Sequence, residues 1–311
     1  MADIRFGVTL PPLPPPALRA LASRIEALGY DSIWTGDHIA FHTPTYESLT
    51  TLTFIAAATS RVRIGTAVYL LALRQPAVVA KTVATLDVLS GGRFVFGVGV
   101  GGEFPKEFEA CGIPHAERGR RVDEGITVCR ALWTESPASH AGRFLRFEGV
   151  ALAPRPVQPG GPPIWIGGRS DHALRRAART GDGWVSYVVT PERFHRSLEK
   201  IHAFAAEAGR PLDAERAFEP AHLLFAVLDD DGDRAHATAA RYLTCQYNQP
   251  FDELATKYCL LGPPARCVET LERFVQAGAR TFILGFTAGA ERVAEQVERF
   301  AAEVLPHFTR A

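Results

Sequence analysis

Short β-branched, largely apolar runs alternate with longer amphipathic stretches from one end of the chain to the other. Strand-like runs fall at 4–10, 32–36, 62–68, 93–99, 163–167, 183–188, 219–228 and 281–286. Most are apolar on both faces, as a parallel sheet requires when helices cover one side and packed side chains fill the other. The segments between them carry apolar residues at helical spacing. Val122, Ile126, Cys129 and Trp133 share one face of 118–133, and Val293, Val297, Phe300 and Val304 share one face of 289–304. Thr190-Pro191-Glu192 reads as a cap followed by a first-turn proline, which starts a helix over 191–208. Strand–helix alternation implies right-handed β-α-β units, and eight such strands suit a closed barrel better than an open sheet. The expected architecture is a (β/α)8 TIM barrel with inserted loops, a single domain over 1–311.

Two stretches break the repeat. Residues 135–162 are rich in proline and glycine, and 229–264 runs from polar through aromatic to Gly262-Pro263-Pro264. Insertions of this length are usually functional lids or interfaces. The prolines of 11–16 follow the first strand directly and read as a stiff βα loop rather than as a PxxP ligand.

Charge narrows the partner. Lys+Arg and Asp+Glu are both 34, so no basic footprint points to nucleic acid or to a membrane surface, and a small molecule is the expected partner. No apolar run approaches the roughly 20 residues of a membrane-spanning helix. Met1-Ala2-Asp3-Ile4-Arg5 lacks the layout of a signal peptide. Five cysteines without a CxxC pair fit free thiols and a cytoplasmic location. Among the ten histidines His38 and His42 are the single HxxxH pair, there is no HxH pair, and no third histidine or cysteine stands near them, so no protein-held metal is expected.

In a barrel the chemistry sits at the C-terminal ends of the strands. Gly36-Asp37-His38 follows the second run, Ala67-Val68-Tyr69 the third, Gly99-Val100-Gly101-Gly102-Glu103 the fourth and Gly167-Gly168-Arg169-Ser170 the fifth. His38 is the sharpest candidate, because an imidazole passes protons near neutrality. Asp37 beside it either fixes a turn or polarises a partner, although neighbours on a strand point to opposite faces. The glycines of 97–102 contain GxGxxG, but no helix follows at once and the next strand is some 60 residues on, so a dinucleotide fingerprint is rejected. Glycines there instead let a flat ring or a phosphate approach the backbone. Gly167-Gly168-Arg169 before a helix start reads either as an anion site or as an ordinary Ser-capped turn. Asp37 with Glu103 as a glycosidase acid pair is the outlying alternative. The pocket is expected to be lined by Phe41, Tyr69, Phe104 and parts of 229–264.

Taken in order, Gly29-Tyr30-Asp31-Ser32-Ile33-Trp34-Thr35-Gly36-Asp37-His38, Arg61-Val62-Arg63-Ile64-Gly65-Thr66 and Leu86-Asp87-Val88-Leu89-Ser90-Gly91-Gly92-Arg93 resemble the luciferase-like monooxygenase superfamily of flavin- and coenzyme F420-dependent oxidoreductases. The glycines of 97–102, Arg118-Gly119-Arg120-Arg121-Val122-Asp123-Glu124 and Thr180-Gly181-Asp182-Gly183-Trp184 extend the likeness over nearly the whole chain. The resemblance implies a homodimeric barrel. Asp37-His38 is similar to the F420 branch, which implies hydride transfer on a small organic substrate with His38, Asp37 and Glu103 as catalytic candidates. The alternative cofactor is FMN, in a monooxygenase served by a separate flavin reductase, and a third reading is a flavin-binding barrel without catalysis. Asp37, Ala67, Val68, Gly101, Gly102, Gly167, Gly168 and Arg169 are the implied cofactor contacts, with a non-prolyl cis peptide at Ala67-Val68. Where the F420 sugar-phosphate and alcohol dehydrogenases carry a glutamate, this chain has Gly102, with Glu103 one position later.

Overall fold

A computed structural model describes residues 3–212 and 218–308. Met1 and Ala2, part of the leader reading, lie outside that range. Eight parallel strands close into a barrel: β1 (Arg5–Thr9), β2 (Ser32–Thr35), β3 (Arg63–Thr66), β4 (Phe94–Gly99), β5 (Ile164–Gly167), β6 (Gly183–Tyr187), β7 (Glu219–Leu228) and β8 (Thr281–Phe286). Each falls within one of the eight expected runs. Closure is made by β8 on β1, with Arg5 opposite Thr281, and by β7, which pairs with both β6 and β8. The result is the expected TIM barrel, with sequential strands adjacent and helices outside.

The inside of the barrel is packed rather than hollow. Trp34, Val95, Trp165, Val185, Ala221 and Ile283 form a separate buried cluster, with the rings of Trp34 and Trp165 5.1 Å apart. Ala67 and Leu223 pack against it. These are the inward positions of different strands, which explains why the runs are apolar on both faces: the outward residues face the helices.

The helices are α1 (Pro15–Ala27), α2 (Ser48–Ala58), α3 (Pro76–Ser90), α4 (Pro105–Ala110), α5 (Arg118–Thr134), α6 (Asp171–Thr180), α7 (Pro191–Glu207), α8 (Gly232–Tyr247), α9 (Asp252–Tyr258), α10 (Pro264–Gln276) and α11 (Val293–Glu303). Thr190 accepts from the Arg193 N–H and starts α7, as its sequence suggests. The Pro-rich stretch after β1 runs into α1, whose first two residues are Pro15 and Pro16. The first irregular stretch contains an antiparallel ribbon, Ala138–Ala141 with Arg146–Val150. The second is largely helical: α8, α9 and a short strand, Leu260–Gly262, parallel to β7. Its opening acidic run does not form a loop lid. Asp231 caps α8 by accepting from the Asp233 and Arg234 N–H groups, and α8 buries Ala235, Ala239, Ala240 and Leu243 on one face. Among the described residues no helix is long and apolar enough to cross a membrane.

Candidate active site

The C-terminal ends of the strands carry His38, Ala67, Gly101, Glu103 and Gly167 at a single rim, because parallel strands of a barrel all point the same way. Over this rim lies a cavity of about 510 Å³, within the size range of small-molecule sites. Glu103 and Arg169 line it together with Phe41, His42, Tyr187, Arg193 and, from the second irregular stretch, Tyr247, Phe251 and Tyr258. An adjoining depression of about 410 Å³ is formed by residues 38–45, and Phe41 and His42 line both. His38 lines the depression rather than the larger cavity.

His38 is held on two sides. Its ring stacks on Phe41 with centroids 4.0 Å apart and 12° between planes. Its Nδ1 lies 3.2 and 3.3 Å from the two carboxylate oxygens of Glu107, and the Ile39 N–H donates to the same carboxylate at 3.1 Å. Glu107 is fully buried in α4. A carboxylate acceptor at Nδ1 places the ring proton there and leaves Nε2 with its lone pair. Sequence reasoning did not find Glu107. It lies 69 positions from His38, and nothing local distinguishes it from Glu109 of the same helix.

Asp37 and His38 both lie past the end of β2 and bond to different partners. Asp37 is 2 % exposed. Its carboxylate takes a two-pronged contact from Arg74 at 2.6 and 2.8 Å, the Leu70 N–H at 2.9 Å and the Ser48 hydroxyl at 3.2 Å. Burial pushes its carboxyl above the usual range, while Arg74 and the Leu70 N–H pull the other way. With its oxygens so engaged, Asp37 ties the loops after β2 and β3 together. It is not placed to join Glu103 as an acid pair, and the glycosidase alternative falls with it.

Glu103 accepts from the Tyr187 hydroxyl at 2.7 Å. Burial first, then the Glu103 charge, raise the Tyr187 phenol above its ordinary value, so that it stays a donor. Tyr69, expected in the pocket, is buried instead. It packs on Phe96 at 5.5 Å and under the Arg74 guanidinium at 4.4 Å. Phe104 stands behind the wall, 4.9 Å from the His42 ring and 6.3 Å from Phe41.

The glycines have particular neighbours. The peptide between Ala67 and Val68 is cis, as the resemblance implied. The Val68 side chain fills the space where a Cβ on Gly99 would stand, and one on Gly167 would lie 2.6 Å from Val68 Cγ1. A Cβ on Gly168 would lie 2.8 Å from that of Ala173, and the Gly168 N–H already donates to Val185 at 3.2 Å. Ser170 caps α6 by accepting from the Ala173 N–H. The turn after β5 is therefore the Ser-capped form, and Arg169 is its contribution to the cavity. Gly101 has φ +63° and a would-be Cβ 3.2 Å from Leu70.

Gly102 is different. It has φ +116°, and the position its Cβ would take is 2.9 Å from His115 Nε2 and 3.1 Å from Arg118 Nε. Both nitrogens are buried without a hydrogen-bond partner among the described residues. Arg118 donates to His115 Nδ1 at 3.2 Å, so the His115 proton sits on Nε2 and both orphaned nitrogens are donors. Among the described residues no group of three His, Cys, Asp or Glu side chains is placed to hold a metal ion.

Residues 3–302 match the luciferase-like monooxygenase family. The chain is 26% identical to an F420-dependent glucose-6-phosphate dehydrogenase of Kineococcus radiotolerans, over 94% of this chain and 93% of that protein. It is 29% identical to a 5,10-methylenetetrahydromethanopterin reductase of Archaeoglobus fulgidus, over 76% and 68% respectively. Among solved structures, an F420-dependent secondary alcohol dehydrogenase superposes with a TM-score of 0.87 at 22% identity, covering 99% of this chain and 100% of that one. A monooxygenase from Streptomyces bottropensis gives 0.84 at 24% identity, covering 98% and 100%. At these identities the two structures speak for the fold. The match over nearly the whole sequence, on a barrel with its polar residues gathered at one rim, places the chain in the luciferase-like monooxygenase family, as an oxidoreductase enzyme of that family.

Proposed function

We propose that the enzyme uses coenzyme F420 for hydride transfer to or from a small organic substrate, with His38 as the proton acceptor and donor. The observation that carries this reading is the His38–Glu107 pair. A 5-deazaflavin supplies hydride transfer at a substrate carbon. Oxidising an alcohol in that way requires a base for the hydroxyl proton, and reducing a carbonyl requires an acid for the oxygen. His38 Nε2 takes or returns that proton, while Glu107 holds the ring orientation and stabilises the imidazolium. Phe41, which lines both the cavity and the depression, is the side chain a substrate must pass to reach His38.

The residues present fit a phosphate-bearing planar cofactor. Two buried donors without acceptors, His115 Nε2 and Arg118 Nε, cost about 1–3 kcal/mol each until an acceptor arrives, and a phosphoryl oxygen is such an acceptor. His115, Arg118, Gly101 and Gly102 would hold that group, and Ala67 and Val68 would contact the planar part. Gly102→Ala would occupy the space and weaken phosphate-bearing ligands while leaving their dephosphorylated cores bound as before. FMN carries the same phosphate, so the FMNH2-dependent monooxygenase is the second reading, and oxygen consumption with FMNH2 tests it. The decisive variant for the first is His38→Ala. Turnover with F420 falls at least tenfold and F420 affinity changes little. Near-normal turnover removes His38 from the mechanism.

A further inference from the structure

The cavity carries two guanidinium groups against one carboxylate, Glu103, and neither is paired with it. Arg169, from the turn after β5, donates to the Val188 carbonyl at 3.0 Å and lies 5.1 Å over the Tyr187 ring. Arg193, in the first turn of α7, reaches only the Arg169 carbonyl, at 3.5 Å. Neither forms an ion pair among the described residues, whereas Arg74, Arg130 and Arg176 all do. Glu103 accepts from the Tyr187 hydroxyl and pairs with neither arginine, so two positive groups and one negative group line the cavity, an excess of one positive charge. Most of a guanidinium's five N–H donors therefore remain free on each residue. The rest of the lining is mostly aromatic: Phe41, Tyr247, Phe251 and Tyr258.

We infer that Arg169 and Arg193 form an oxyanion subsite, and that the substrate has a planar or apolar body bearing a carboxylate or a similar oxyanion. Two forks facing one cavity match the flat, two-oxygen geometry of a carboxylate, and such charge-assisted bonds are roughly twice as strong as neutral ones. Aromatic walls accept the body. The orphaned donors at Gly102 offer a separate place for a cofactor phosphate, in place of the cofactor contact the resemblance implied for Arg169, so the arginine pair is free for another anion. Calling that anion's bearer the substrate rests on the proposed hydride-transfer reading; the subsite itself does not.

The test uses the full chain without cofactor. Calorimetric titration compares benzoate with benzamide on the wild type and on the Arg169→Gln/Arg193→Gln double variant, and FMN and F420 are titrated separately on both. The expected result is benzoate binding at least tenfold tighter than benzamide in the wild type. In the double variant that preference is lost, while FMN and F420 affinities stay within threefold. Loss of F420 or FMN affinity with benzoate unaffected would assign the pair to the cofactor and overturn the substrate class. No change in any arm, or no benzoate binding by the wild type, would overturn the subsite. Failure of the cofactor reading is seen independently, as a wild type that binds neither FMN nor F420.

Discussion

Glu107→Gln tests the proton-handling pair most sharply, because it preserves shape and removes charge. In the wild type the carboxylate accepts from His38 Nδ1 and from the Ile39 N–H. Glutamine keeps one acceptor oxygen for Ile39 but presents an amide that can also donate, so the imidazole loses its fixed tautomer. A hydrogen bond to a charged partner is worth about 1.5–3 kcal/mol. His38 keeps 20 % side-chain exposure, so water replaces part of the loss and the lower half of that range applies, about 1.5–2 kcal/mol. At about 1.4 kcal/mol per factor of ten, that is a ten- to thirtyfold fall in turnover with F420. The structural readout needs no substrate. Histidine labelled with 15N reports which ring nitrogen carries the proton, and His38 is assigned by its disappearance in His38→Gln. A neutral wild-type ring protonated on Nδ1, with that preference weakened in Glu107→Gln, is the expected outcome. A wild-type ring protonated on Nε2 would refute the reasoning, as would unchanged turnover in the variant.

Three further substitutions separate architecture from chemistry. Asp37→Asn strands the Arg74 guanidinium opposite a neutral group; loss of a buried pair costs about 3–5 kcal/mol, and the 15 % exposure of Arg74 points to the low end, measurable by urea unfolding. Gly167→Ala drives a methyl into Val68 and costs about 1–3 kcal/mol by the same assay, whereas wild-type stability would show that Val68 moves aside freely. His222 is fully buried against the Ser186 hydroxyl at 2.7 Å, and burial depresses its pKa to about 3. The unfolded chain takes up that proton below about 6.5 while the folded chain does not. This contribution to stability is therefore intact above that pH and falls by about 1.4 kcal/mol per unit on the way down towards 3. Unfolding curves between pH 7 and 5 on the wild type and on His222→Asn should show the slope reduced by one proton in the variant, and equal slopes would mean that His222 titrates normally.

The barrel was legible because six of the eight strands carry large or branched inward residues such as Trp34, Val95 and Ile283 alternating with outward ones that meet helices. Helix α8 was not, because Asp229-Asp230-Asp231 reads as a polar loop and the buried face that follows is mostly alanine. The rim residues were visible as a set, yet their partners were not. Arg74 and Glu107 meet Asp37 and His38 across 37 and 69 positions, and only the closed barrel brings them together. Likewise, the spaces at Gly99 and Gly167 belong to Val68, a packing fact that a glycine in a sequence cannot announce. Arg193 and Tyr187 enter the cavity because β6 ends and α7 begins at the same rim as the glycine turns.

Direct titration of the purified full chain with F420 and with FMN, followed by quenching of cofactor fluorescence, bears most directly on the hydride-transfer assignment. Saturable F420 binding, weakened in Gly102→Ala but unaffected in His38→Ala, is the expected result. Binding of FMN alone, or of neither cofactor, would contradict it.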